Sequence, residues 1–130
     1  MNYILIVEDE EFLLRALKDN LEGEGYKIGI ASDGDEAIKQ IEEKKPDLIL
    51  LDILMPKRDG FFVLEAIKSN PKWKLIPVII LSNLGDDDDI KKALGTGAND
   101  YFVKTQHPIE EVVEKVKEYL EGRGQNKRSR

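Results

Sequence analysis

Five side chains able to do chemistry each stand where a short apolar run ends. Glu8 and Asp9 follow "YILIV", Asp52 closes "LILL", Ser82 closes "PVIIL", and Lys104 closes "DYFV". A carboxylate at the mouth of an apolar run loses hydration energy unless something pairs with it. Acids gathered together also push one another's pKa upward, unless a divalent cation and an ammonium group neutralise the charge. Lys104 supplies the ammonium. The hard oxygen donors suit magnesium, which keeps several waters and needs only one or two carboxylates, a backbone carbonyl and a phosphoryl oxygen. Asp52 then stays ionised and nucleophilic. A carboxylate nucleophile, a magnesium ion, a lysine and the Ser82 hydroxyl are the equipment for phosphoryl transfer to an aspartate, where catalysis is largely positioning and charge stabilisation.

The elements that must bring these residues together are written in two alternating patterns. "YILIV", "YKIGIA", "DLILLD", "PVIILS" and "DYFVK" are short β-branched or aliphatic runs and predict five strands. Between them, apolar residues recur three and four apart: Leu13, Leu17 and Leu21; Ala37, Ile38 and Ile41; Val63, Leu64 and Ile67; Ile90, Ala93 and Leu94; then Ile109, Val112, Val113, Val116 and Leu120. These predict five helices. Strict alternation with right-handed crossovers implies an α/β fold, a doubly wound five-stranded parallel sheet with helices on both faces. The second run ends in Ala31 and Ser32 with no chemistry to offer, so it is placed at an edge and the strand order is 2-1-3-4-5. Ligands in such sheets sit outside the carboxyl ends of the strands, where the five side chains lie.

Composition narrows the function further. The chain of 130 residues is 41% hydrophobic, has no cysteine, one histidine and a formal net charge of -6. Disulfides, thiolate zinc sites and thiol nucleophiles are excluded, and any metal must use oxygen ligands. No apolar stretch approaches the ~20 residues of a membrane span, so neither a membrane nor, given the charge, nucleic acid is an expected partner, and the expected location is cytoplasmic. The one dense basic stretch is the C-terminal "GRGQNKRSR", which divides the chain into a domain over residues 1–121 and a basic tail or truncated linker over 122–130.

The acidic pair in "LIVEDE", the stretch "LLDILMPKRDG", the strand end "IILSN" and the strand "GANDYFVK" together resemble the receiver domain of bacterial two-component response regulators, of the stand-alone, chemotaxis-regulator-like kind with a flavodoxin-like fold. The resemblance covers residues 2 to about 121. It implies that Asp52 accepts a phosphoryl group from a histidine kinase or phosphotransfer protein and that Asp9 and Asp52 bind magnesium, for which manganese can substitute. It further implies that Glu8 supports the metal through water and that the Leu54 carbonyl completes its protein ligands. Lys104 and Ser82 would hold the phosphoryl oxygens, and Tyr101 would turn inward as Ser82 moves. Output would run over the surface of the fourth helix, fifth strand and fifth helix to an unknown protein target, with the chain a monomer or a phosphorylation-dependent dimer. Such a protein promotes its own phosphorylation and dephosphorylation without turning over free substrates.

Two positions depart from the pattern. Receivers usually follow the lysine with proline through a cis bond; Thr105 stands here, and a cis bond without proline costs about 2.5–4 kcal/mol, so the bond is expected strained or trans. Asn83 is bulkier than the usual small residue, and Leu54 and Leu84 offer no polar group to orient a water, so slow hydrolysis of the acyl phosphate is expected.

Plainer readings compete at each position. Alone, Asp52 is as readily a helix cap as a nucleophile, Lys104 a solvated charge, and Ser82 a turn residue; it is their joint occurrence that favours the site. An aspartate-nucleophile phosphatase would want a second acid two residues after Asp52, where Leu54 stands, and an unphosphorylated binding module remains an alternative. The other conspicuous residues read as structural. Ser32, Asp33 and Asp35 can cap the second helix, Lys44 and Lys45 complement its end, Asp59 and Gly60 with Met55 and Pro56 shape the start of the third, and Asp86–Asp89 open the fourth. Gly95 and Gly97 close the fourth helix, Pro108 suits the first turn of the fifth, His107 is an exposed loop residue, and Trp73 packs against a helix.

Overall fold

The structure is a computed structural model and describes residues 2–54, 59–83 and 85–122. Met55, Pro56, Leu84 and the tail beyond Gly122 lie outside the described residues. The strands are β1 (Tyr3–Val7), β2 (Lys27–Ala31), β3 (Leu48–Leu51), β4 (Val78–Ser82) and β5 (Asp100–Val103). The helices are α1 (Glu11–Gly23), α2 (Gly34–Glu43), α3 (Gly60–Ser69), α4 (Asp87–Thr96) and α5 (Ile109–Glu121). All pairings are parallel in the order β2-β1-β3-β4-β5, as the alternation requires. The register sets Val7 beside Ala31 and Leu51, Leu51 beside Ile80, and Ser82 beside Val103, so β1, β2 and β3 finish level while β4 and β5 run two residues further.

Side chains on a strand alternate between faces, and the two faces build two cores. Ile4, Ile6, Leu48, Leu50, Ile79 and Leu81 pack with Leu17 and Leu21 of α1 and Val112 and Val116 of α5. Leu5, Val7, Ile49, Leu51, Val78 and Ile80 pack with Ala37 and Ile41 of α2, Val63, Leu64 and Ile67 of α3 and Ala93 of α4. β3 and β4 are buried at every position, which is why their sequences lack polar alternation. Each large aliphatic side chain fully buried in this way contributes about 1.5–3 kcal/mol. Trp73 packs against the second of these cores, as a structural residue. Among the described residues no helix is long and apolar enough to cross a membrane.

Helix boundaries follow local chemistry with a few differences from expectation. Asp33 is the residue that caps α2, accepting from the Glu36 N–H at 2.8 Å while Glu36 reaches back to the Ser32 N–H at 2.9 Å. Asp59 caps α3 through the Phe62 N–H at 2.9 Å. Asp86 is the N-cap of α4 and Asp87, Asp88 and Asp89 fill its first turn, where carboxylates favour the helix dipole. Gly95 lies inside α4; Gly97 alone closes it, with φ at 120°, a conformation side-chain-bearing residues avoid. α5 begins one residue later than Pro108, which stands as N-cap with an extended ψ. α2 stops at Glu43, so Lys44 is its C-cap, and its ammonium lies 4.7 Å from the centre of the Tyr3 ring. His107 is half-buried, packed edge-on against Phe102 at 5.2 Å, with Nδ1 2.6 Å from Glu111 Oε2. Its aromatic neighbour, five residues back, comes within reach because the chain turns after β5.

Candidate functional site

Backbone bonds just past the strands fix where the chemistry stands. The Asp52 N–H donates to the Val7 carbonyl at 3.0 Å, the Glu8 N–H to Ala31 at 3.0 Å, and the Lys104 N–H to Ser82 at 2.8 Å. Each extends a parallel ladder by one residue, so Glu8, Asp52 and Lys104 leave the sheet on its rigid edge. Gly60 permits the fourth wall of the site: a Cβ there would meet the Ile53 Cα at 2.4 Å and the Asp52 carbonyl oxygen at 2.5 Å. α3 can start against the backbone beside Asp52 because that Cβ is absent, and the Gly60 N–H closes the turn on the Ile53 carbonyl at 2.8 Å.

Lys104 joins the acids that come from separate loops. Its Nζ lies 3.0 Å from Asp52 Oδ2, 3.0 Å from each Glu8 carboxylate oxygen and 3.5 Å from Glu10 Oε1. Asp52 Oδ1 accepts from the Leu54 N–H at 3.0 Å, and Glu8 Oε2 accepts from the Glu10 N–H at 3.0 Å. Glu8 and Asp52 are 2% and 4% exposed, so these bonds replace water they have lost. Burial and then the Asp52 charge push the Glu8 carboxyl from 4.5 up to about 7, against the opposing Glu10 N–H and Lys104. Burial alone would lower the Lys104 ammonium, but its hydrogen bonds to Glu8 and Asp52 and their charges win, and its pKa is raised.

Asp9, exposed on the rim, completes an acidic cluster: one carboxylate oxygen from each of Glu8, Asp9 and Asp52 lies within 4.8 Å of the others. With Asp9 beside Glu8 and Asp52 and with Glu10 also on Lys104, the acids outnumber the one ammonium, and all the donors are hard oxygens, which fits a divalent cation such as magnesium or manganese.

Ser82 is fully buried at the end of β4, and its side chain is hydrogen-bonded to Tyr101 of β5. Burial raises the Tyr101 pKa, with the Ser82 bond pulling the other way. Leu54 is half-exposed and Asn83 exposed. No cis peptide occurs among the described residues, so Lys104–Thr105 is trans. The sequence residues Glu8, Asp9, Asp52, Ser82, Tyr101 and Lys104 therefore share one end of the sheet. Glu10 was missed; nothing in the sequence separates it from the neighbouring acid Glu11.

Known proteins match this chain over most of its length. The profile of the response regulator receiver domain matches residues 4–117. The alkaline phosphatase synthesis transcriptional regulatory protein PhoP of Bacillus subtilis is 44% identical over 110 residues, covering 82% of this chain and 44% of that protein. The phosphate regulon transcriptional regulatory protein PhoB of Rhizobium meliloti is 38% identical over 101 residues, covering 78% of this chain and 44% of that protein. The chain thus spans less than half the length of these relatives. Among solved structures, the signal receiver domain of a signal transduction histidine kinase from Syntrophus aciditrophicus superposes with a TM-score of 0.86 at 35% identity, covering 98% of this chain and 96% of that one. The Mn(2+)-bound form of response regulator Rcp1 gives 0.83 at 29% identity, covering 91% and 93%.

Proposed function

The chain belongs to the response regulator receiver family of two-component systems, and on that premise we propose that it is a phosphorylation-activated switch whose acceptor is Asp52. The observation that carries the reading is the Lys104 ammonium 3.0 Å from a nearly buried Asp52 carboxylate. Phosphoryl transfer from a histidine kinase or phosphotransfer protein would form a P–O bond at Asp52 as the P–N bond to the donor imidazole breaks. Lys104, already on Oδ2, would hydrogen-bond an incoming phosphoryl oxygen as well and offset its charge. The Leu54 N–H holds the other carboxylate oxygen and limits rotation of Asp52.

Asp9 and Asp52 would hold magnesium or manganese, with Glu8 acting through water and the Leu54 carbonyl as a further ligand. A bound ion would offset the negative charge that the incoming phosphoryl oxygens add beside Asp52. Switching would begin at Ser82. A phosphoryl oxygen that takes the Ser82 hydroxyl removes it from Tyr101, whose ring then repacks and alters the face made by α4, β5 and α5. The receiver occupies residues 1–121 in this reading, followed by a basic tail or linker, and the location is cytoplasmic.

The test is incubation with a labelled small phosphodonor, with magnesium and with chelator, on the wild-type chain and on Asp52→Asn. Magnesium-dependent label lost in the variant supports the reading. Turnover of a free phosphate ester would favour a phosphatase, and no label under any condition would favour a passive binding module.

A further inference from the structure

A lysine ammonium has three N–H donors, and here three carboxylates take them: Glu8, Asp52 and Glu10. A phosphoryl group arriving on Asp52 brings more acceptors to the same ammonium, so one existing partner must leave. The contacts are unequal. Glu8 and Asp52 lie at 3.0 Å and are buried, whereas Glu10 lies at 3.5 Å with its side chain 55% exposed. A buried carboxylate that loses its partner pays a desolvation cost, while an exposed one recovers water.

The rest of Glu10 is built for such an exchange. It is the N-cap of α1 and makes no side-chain cap bond, so its carboxylate is not needed to start the helix. Its backbone stays pinned, because its N–H donates to Glu8 Oε2 at 3.0 Å. The carboxylate can swing away without disturbing the acids behind it.

We infer that Glu10 is a positioning residue that holds Lys104 in the unphosphorylated state and competes with the phosphoryl group for it. The inference rests on Asp52 being the phosphoacceptor. Each phosphorylation must displace Glu10 from the ammonium, so Glu10 lowers the affinity of the pocket for a phosphoryl group.

The test measures beryllium trifluoride, a phosphoryl mimic, binding at saturating magnesium to wild type, Glu10→Gln and Glu11→Gln. Glu11 carries the same charge one residue along, at the start of α1, and serves as the control for long-range repulsion. Exposed ion pairs of this kind correspond to about two- to five-fold in an equilibrium constant. Glu10→Gln is therefore expected to bind the mimic about two- to five-fold more tightly, and Glu11→Gln about as wild type. Tightening absent in Glu10→Gln, or equal in Glu11→Gln, overturns the inference while leaving the acceptor in place. Wild-type protein that binds magnesium but no mimic overturns the acceptor reading, and the inference with it.

Discussion

Raising the pH in the presence of chelator should destabilise this protein through one side chain. In the folded chain Glu8 holds its proton up to about pH 7, against 4.5 for the ordinary group, chiefly because burial disfavours its charge. Below pH 4.5 the group is protonated in both folded and unfolded chains and costs nothing. Between 4.5 and about 7 the unfolded chain is ionised while the folded chain still holds the proton, so stability is lost across that interval and the loss ends once the folded chain ionises too. The interval from 4.5 to about 7, at about 1.4 kcal/mol per pH unit, gives a loss of about 3 kcal/mol, complete by pH 8. Glu8→Gln keeps a neutral side chain at every pH and lacks this loss. Urea unfolding of both proteins from pH 5 to pH 8 measures it, provided the denaturant slope is unchanged. The variant should gain on wild type by nearly that amount across the range, and magnesium should narrow the gap by offsetting the ionised carboxylate. Parallel stability curves for the two proteins would refute the argument.

Other consequences follow from the same contacts. Lys104→Met leaves Glu8 and Asp52 buried without a counter-charge and should cost about 3 kcal/mol in chelator at pH 8; a loss near zero by urea unfolding would mean the ammonium contributes nothing there. Tyr101→Phe removes the hydroxyl bonded to Ser82 and should cost about 1 kcal/mol, read from the urea midpoint. The phosphorylated form should be long-lived, because the half-exposed Leu54 offers no polar group to orient a water. Following the loss of label after removal of donor checks this, and a lifetime of seconds would contradict it.

Most of the architecture was legible because it rests on periodicity. Runs such as "LILL" and "VIIL" are apolar at every position, as a short strand covered on both faces should be, and the strand ends then named Glu8, Asp9, Asp52, Ser82 and Lys104 together. What escaped were choices between equivalents. Gly95 and Gly97 both look like helix stops, and only the positive φ at Gly97 separates them. Glu10 and Glu11 are adjacent acids, one the N-cap and one the first residue of α1, and only Glu10 is brought to Lys104. Likewise, no spacing links Ser82 to Tyr101, nineteen residues apart; their hydrogen bond depends on the pairing of β4 with β5, where Ser82 stands level with Val103.

Peptide mapping of the chain after reaction with a small phosphodonor and magnesium tests the central claim most directly, that the acids and Lys104 converge in order to make one aspartate reactive. The account predicts a single phosphoryl group, on Asp52, absent when magnesium is chelated. A phosphoryl group on another residue, or equal modification of Asp52 without the metal, would contradict it.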